Sequence, residues 1–328
     1  MEKPYISFVV TARNDDYGGH WQDRINAFIK ILAYQSERTH LPCELVFVEY
    51  NPVKDKKTLR EELIIPKNVF FRTRFITVPE EFHKTLPDND KVKICEFIGK
   101  NIGIKRASGE FICGTNPDVL YSDELFDFFA EKKLNKSVFY RINRVDTSIK
   151  RFEPSASPET MLGTARKRQT KIMYPDQTVY LSYARWLDDF IHGRSLKMFL
   201  RCPVLNFLRK IDLEKIHENA AGDFLLSHKD NWDKAGGYDE RTVGSGVLDS
   251  YILYVMFCAG IRQILLPYPI FHLHHHHKGV KYLASHAQLR ADAQEMLATR
   301  TPYKKRNAGW GFTDVQFTER EASRLTAI

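Results

Sequence analysis

Four short runs crowded with β-branched and aromatic residues, each stopping at a polar cluster, limit this chain to few folds. They are "YISFVVT" before "ARNDDYGG", "CELVFVEY" before "NP", "NVFFRTRFITV" before a proline, and "GEFICG" before "TNPD". Runs of this composition closed by Gly, Pro, Asn or Asp read as strands. Between the first two, Trp21, Ile25, Phe28, Ile29, Leu32 and Ala33 recur at helical spacing, and "KICEFIGKNIGIKRAS", closed by Gly109, is an amphipathic helix before the fourth. Strands alternating with helices predict an α/β fold, a parallel sheet with right-handed crossovers. In such sheets ligands gather beyond the carboxyl ends of the strands. Three clusters far apart in sequence, "TARND", "VEYNP" and "TNPD", should therefore meet in one crevice.

The remainder is less regular. Residues 141–218 are basic and contain "EPSASPET" and an aromatic helix candidate, "VYLSYARWLDDFIHG", which together read as an insertion over the crevice. Residues 219–278 supply a strand, a turn, a buried helix and a final strand, and residues 279–328 form a mainly helical tail. With 328 residues, 43% of them hydrophobic, the chain can bury one large core or two modest ones. Cys43, Cys95, Cys113, Cys202 and Cys258 are odd in number and widely spaced among apolar neighbours, which predicts free buried thiols. The apolar run near the N-terminus is too short for a signal segment, and no stretch reaches the roughly 18 apolar residues of a spanning helix. A cytoplasmic protein is the expectation. A formal charge of +8 favours polyanionic partners, yet no zinc-finger spacing, RNP signature or zipper heptad accompanies the basic clusters at 141–171 and "YKKRN". Nucleic acid is not an expected partner, whereas peripheral contact with a membrane surface stays open.

Carboxylate and amide oxygens suit hard divalent cations such as Mg²⁺ or Mn²⁺, which share their coordination shell with substrate phosphates. Asp118, with Asn116 two positions before it, is placed for that role. The competing reading is an Asn-Pro turn whose aspartate caps the following helix, "SDELFDFFAEKK".

The order and spacing of "ISFVVTARND", "ELVFVEYN", "NIGIKRASGEFICGTNPD", "AGDFLLSHKDNWDKAGGYDE" and "LDSYILYVMFCAGI" through "PIFHLHH" resemble those of GT-A fold nucleotide-sugar glycosyltransferases, of the family-two-like bacterial and viral type. The resemblance spans residues 5–278. It implies a GT-A (Rossmann-like) domain over 1–278, with a mostly parallel central sheet flanked by helices and the nucleotide-binding half in 1–120. It further implies transfer of a hexosyl or related sugar from a nucleotide-sugar, expected to be a UDP-sugar, to a hydroxyl of a glycan, polysaccharide or glycolipid, with inversion and help from Mn²⁺ or Mg²⁺. In that family a D-x-D triplet holds metal and diphosphate; here its first position is Asn116 and its second Asp118. By the same resemblance Thr11, Arg13, Asn14, Glu49, Asn101, Arg106 and Asn116 line the donor pocket. A forked guanidinium suits phosphate, and a strand-end carboxylate suits ribose hydroxyls or a uracil N–H.

After the last strand come "FHLHHHH". On a strand His272 and His274 share one face and His275 points oppositely. The family places a histidine here where it can complete the metal site or touch the diphosphate, and His272 matches that place best, a ligand that would favour Mn²⁺; the competing reading is a histidine-rich polar loop with surface roles only. A base must take the acceptor's proton. Asp249, which follows "TVGSGVL" and opens an apolar helix, is the first choice, and Asp223 in "NAAGDF" the second. "KAGGYDE" lacks the ending of a phosphate loop and reads as a turn that shapes the acceptor side. Two alternatives remain: a nucleotidyltransferase, and a catalytically silent nucleotide-sugar-binding module.

Overall fold

The computed structural model describes residues 2–193, 201–208, 210–244, 247–275, 285–302, 309–322 and 325–326. The first half runs β1 Ile6–Ala12, α1 Trp21–Thr39, β2 Cys43–Tyr50, α2 Leu59–Glu62, β3 Ile65–Pro66, β4 Phe71–Val78, α3 Glu80–Lys84, α4 Glu96–Arg106 and β5 Phe111–Thr115. Then come β6 Val119–Tyr121, α5 Asp123–Ala130, β7 Val138–Thr147, α6 Pro158–Lys167, β8 Gln169–Met173, β9 Thr178–Tyr180 and α7 Tyr183–Gly193. The last third holds β10 Phe224–His228, α8 Lys229–Ala235, α9 Leu248–Cys258, β11 Arg262–His272, α10 Ser285–Thr299, β12 Thr318–Glu321 and β13 Leu325–Thr326.

The protein is a mixed α/β structure around a large central sheet of order β12-β4-β2-β1-β5-β10-β7-β11-β6, with β8 and β9 extending from β7. The block β4-β2-β1-β5 is parallel throughout, as its alternation with helices requires. β10 joins β5 and β7 antiparallel, and β11 returns parallel to β7. β1 is buried along its length because both faces of the sheet are covered. Phe8 and Val10 pack on one face with Phe28 and Leu32 of α1, while Val9 packs on the other with Val46, Val48 and Ile102 of α4. Removing a core ring such as Phe8 should cost about 3–5 kcal/mol.

Two glycines set the seat of α4. A Cβ at Gly103 would lie 2.5 Å from Val9 Cγ1, and one at Gly99 2.5 Å from Thr11 Cγ2. The helix lies on β1 so closely that only glycine fits there. Its first turn is thereby held over the carboxyl ends of the strands.

Two boundaries differ from the sequence reading. Residues 141–147 are part of β7, a strand inside the central sheet, so the insertion begins after them. Arg141 and Arg144 gave that strand the look of an irregular basic segment, but both are largely buried among polar partners. The tail contains α10 and also β12, which adds antiparallel to β4 at the sheet edge. "YKKRN" lies outside the described residues. Cys43, Cys95 and Cys113 are buried, and all five cysteines are free. Among the described residues no helix is long and apolar enough to cross a membrane.

Candidate functional site

Beyond Thr115, where β5 stops, Asn116 bridges two neighbours. Its Nδ2 donates to Asp223 Oδ1 at 2.7 Å, and its Oδ1 accepts from Lys100 Nζ at 2.7 Å. The Lys100 side chain is wholly buried and also donates to Glu96 Oε1 (2.7 Å) and the Gly222 carbonyl (2.9 Å). A buried ammonium requires such a shell, because unpaired it would carry a large desolvation cost. Asp223 Oδ2 meets Arg144 Nη1 at 2.5 Å, and Arg144 Nε pairs with Asp146 Oδ1 at 2.7 Å. With both amide groups engaged, Asn116 here orients Asp223 and Lys100.

Asp118 lies on the far side of this chain of charges. Its carbonyl accepts from Leu273 N at 2.9 Å, which ties the end of β11 to the turn after β5. Asp118 Oδ2 is 3.0 Å from His275 Nε2 and 3.7 Å from His272 Nε2. One ligand atom from each of the three residues falls within 4.8 Å of the others. Asp118 Oδ1 is buried with no hydrogen-bond partner among the described residues. Burial pushes the Asp118 carboxyl up, but His272, His275 and Arg24 outweigh it and hold the group well below the ordinary carboxylate range. Burial and then Arg144 push the His272 imidazole below its usual value, against Asp118 and Asp146. Asp146 Oδ1 lies 3.5 Å from His272 Nδ1. A carboxylate with an unused buried oxygen and two converging imidazoles fits a divalent transition ion such as Mn²⁺ better than Mg²⁺.

His275 departs from the expected alternation. The strand ends at His272, His274 N then donates to the Ile149 carbonyl at 2.7 Å, and the turned backbone brings the His275 ring within 5.2 Å of the His272 ring. His276 and His277 lie outside the described residues. Tyr17, in the loop after β1, sits 5.6 Å from the His275 ring, and Arg24 Nη2 donates to its carbonyl at 2.7 Å. That loop therefore closes one side of the cluster.

Asp249 stands in the first turn of α9, half-buried, accepting from Ser250 N (2.9 Å) and Gly222 N (3.3 Å). Burial, and next the nearby Glu96, push its carboxyl up to about 6. A Cβ at Gly222 would lie 3.8 Å from both Asn116 Nδ2 and Asp249 Oδ2. Asn116, Asp223 and Asp249 thus share one small volume with Lys100.

The other strand ends stand beside it. Thr11 packs against Gly99 in the first turn of α4, its Oγ1 buried without a hydrogen-bond partner among the described residues. Arg13 Nε donates to the Asn51 carbonyl at 2.6 Å, and its Nη1 pairs with Asp15 at 2.9 Å. Asn14 bonds to Val53 N (2.5 Å) and the Lys57 carbonyl (3.0 Å), stitching the loops after β1 and β2 together. Glu49 is buried, accepts from Leu59 N at 2.7 Å, and is pushed up to about 7, chiefly by burial.

Asn101 and Arg106 do not join the cluster. Asn101 donates to the Tyr238 carbonyl (2.9 Å) and Glu240 (2.8 Å), fixing the "GGYDE" turn. Arg106 holds the carbonyls of Gly311 (2.8 Å), Phe312 (2.9 Å) and Val315 (3.0 Å). At about 1.5 Å rise per residue, Arg106 is some 15 Å down α4 from the crevice. Lys100, near the start of the same helix, is the residue that reaches it. Lys100, Arg144, Asp146 and His275 were missed from sequence: three are charges inside segments whose pattern suggested solvent, and the fourth needed the strand's end point.

No protein-family model matches this sequence, and no curated protein matches it. Several solved structures are similar. The catalytic domain of Drosophila β1,4-galactosyltransferase 7, in complex with xylobiose, shares 11% identity over 87% of this chain and 79% of its own, with a TM-score of 0.41. GalNAc-T7 with UDP, GalNAc and Mn²⁺ shares 11% identity over 90% of this chain and 48% of its own, with a TM-score of 0.48. For S. aureus TarS 1-349 the values are 12%, 90%, 64% and 0.45. This chain therefore spans less than two thirds of the last two.

Proposed function

We propose that this protein is a glycosyltransferase that moves a sugar from a nucleotide-sugar, a UDP-sugar by the sequence resemblance, to an acceptor hydroxyl with divalent-metal assistance. The observation that carries this reading is the convergence of Asp118, His272 and His275 beside Asn116, Asp223 and Asp249 at the carboxyl ends of the parallel strands. A nucleotidyltransferase gains no specific support, since "TARNDDYGG" after β1 supplies only part of the glycine-rich basic signature it would want.

Asp118, His272 and His275 would hold the ion, which when bound supplies positive charge to the leaving diphosphate. Arg13, through its Nη2, and Glu49, on adjacent strand ends, offer a charged donor for phosphate and an acceptor for the nucleoside. Asp249 is the base. Its raised pKa lets it be ionised at neutral pH and still hold a proton usefully. The acceptor oxygen bonds to the anomeric carbon as the bond from that carbon to the diphosphate oxygen breaks. The hydroxyl proton passes to Asp249 and the nucleoside diphosphate departs, inverting the anomeric centre. Asp223, clamped by Asn116 and Arg144, shapes the pocket and does not take the proton.

Calorimetry with UDP, and assays of UDP-sugar hydrolysis with and without Mn²⁺, test this reading. Mn²⁺-dependent UDP binding and slow sugar release are expected. Failure to bind any common nucleotide donor would remove it, and binding without turnover would favour the silent module.

A further inference from the structure

Positive charge is unevenly spread in this chain. Residues 141–218 contain 15 of its 49 Lys and Arg but only 9 of its 41 Asp and Glu. Within that stretch Lys150, Arg151, Lys167 and Arg168 are all exposed. The backbone gathers them: Ser148 N donates to the Arg168 carbonyl at 2.9 Å, so the segment leaving β7 runs beside the end of α6. Among the described residues none of the four pairs with a carboxylate, whereas nearby Arg166 pairs with Glu124 at 2.7 Å and Lys171 with Asp189 at 3.1 Å. Lys167 and Arg168 also meet the partial negative end of α6, but among the described residues Lys150 and Arg151 have no such counter-charge. Four neighbouring cations repel one another unless an anion lies among them.

The quartet also adjoins the candidate site. Ile149, which precedes Lys150, accepts through its carbonyl from His274 N at 2.7 Å, between the two histidines of the cluster. Leu273 N donates to the Asp118 carbonyl at 2.9 Å. Two backbone hydrogen bonds thus lead from Asp118 to the foot of the basic patch.

We propose that Lys150, Arg151, Lys167 and Arg168 form an acceptor subsite for a negatively charged glycan, one bearing phosphate, sulfate or carboxylate groups. This rests on the glycosyltransferase reading and deepens it by naming the acceptor class. The patch holds the anionic chain beside the metal cluster, so that a hydroxyl further along can reach Asp249.

The test compares two multiple variants at one fixed salt concentration, since polyanion affinities depend steeply on salt. In the first, Lys150, Arg151, Lys167 and Arg168 are all changed to alanine. In the second, Lys3, Lys132 and Lys136, which line a groove at the opposite edge of the sheet, are changed instead. Fluorescent dextran sulfate, unsulfated dextran of equal length, phosphatidylserine vesicles and an oligothymidylate are the probes. Wild type should bind dextran sulfate and not dextran. Four weak surface pairs together are worth about tenfold or more, so the first variant should lose that much affinity and the second less than about twofold. UDP affinity in Mn²⁺ should be unchanged in both, which also shows that they fold. Equal losses in the two variants would overturn the proposal, as would tighter, patch-dependent binding of vesicles or oligothymidylate. Absence of UDP binding in wild type would instead overturn the glycosyltransferase reading, and with it the role as acceptor subsite.

Discussion

At the amino edge of the parallel strands Glu44 is fully buried, and its carboxylate is saturated. It accepts from Ser7 Oγ (2.6 Å), Ser108 N and Oγ (2.9 Å each) and Arg74 Nε (2.9 Å), and pairs with Arg72 at 3.1 Å. At the carboxyl edge Asp118 keeps a buried oxygen with no donor among the described residues, and Asp249 is pushed up to about 6 while accepting from two backbone donors, Ser250 N and Gly222 N. One sheet therefore buries acids at both ends: Glu44 is satisfied at one, while at the other Asp118 and Asp249 are incompletely satisfied beside an Asp223 that Asn116 and Arg144 hold. Full satisfaction marks a group that holds the fold, and incomplete satisfaction marks a group kept ready for a ligand or a proton.

The largest expected contrast is between Asp249 and Glu44. Asp249→Asn should lower turnover by about 10²–10⁴ as a general base is lost, with UDP affinity unchanged by calorimetry. Glu44→Ala should do the reverse. Breaking a buried pair from one side costs about 3–5 kcal/mol, read by urea unfolding, while nucleotide affinity of the folded fraction stays the same. If Asp249→Asn unfolded the protein, or Glu44→Ala cost activity alone, the distinction between the edges would fail.

A smaller effect separates members of the carboxyl edge. Asp146→Asn removes the carboxylate that faces His272 Nδ1, and loss of such a supporting partner typically weakens metal affinity about 10–100-fold. Mn²⁺ titration followed by electron paramagnetic resonance reads this without any turnover. An unchanged affinity would show that His272 is oriented by other contacts.

The smallest effects are in pH dependence, where the two edges differ in sign. Glu44 titrates below its unfolded value of about 4.3: burial opposes this, but Ser7, Ser108 and Arg74 outweigh it. Its stabilisation is present above that unfolded value and is lost as pH falls through the folded one. Asp249 titrates near 6, above an unfolded value of about 3.9. Its contribution is complete below about pH 4 and is lost as pH rises through 6. Unfolding measured across pH 3–8 should show Asp249→Asn more stable than wild type above about pH 6, with the difference closing in acid. Activity, in contrast, should fall below about pH 6 as Asp249 takes up its proton. Identical slopes for the two variants would contradict the assignment.

The strand ends were legible because an apolar run that stops at Asn, Asp or Glu leaves polar groups where strands deliver them. Asn116, Asp118 and His272 come together for that reason, whereas Asp223 precedes the antiparallel β10 and Asp249 opens α9. Lys100 was not legible, since a lysine in an amphipathic helix ordinarily reaches water, and only the close seat of α4 at Gly99 turns it inward. Arg144 and Asp146 were hidden because two charges in one strand mimic a surface segment, although they neutralise each other at 2.7 Å inside the sheet. Arg106 was misplaced for a geometric reason: ten residues of helix carried it away from the crevice toward the C-terminal segment.

The most direct measurement of the central claim is UDP binding to wild type and Asp118→Asn, each titrated with Mn²⁺ and then in EDTA. Mn²⁺-dependent binding by wild type, weakened by about two orders of magnitude in the folded variant, is the predicted result. Equal UDP affinity in EDTA, or unchanged Mn²⁺ affinity in Asp118→Asn, would contradict it.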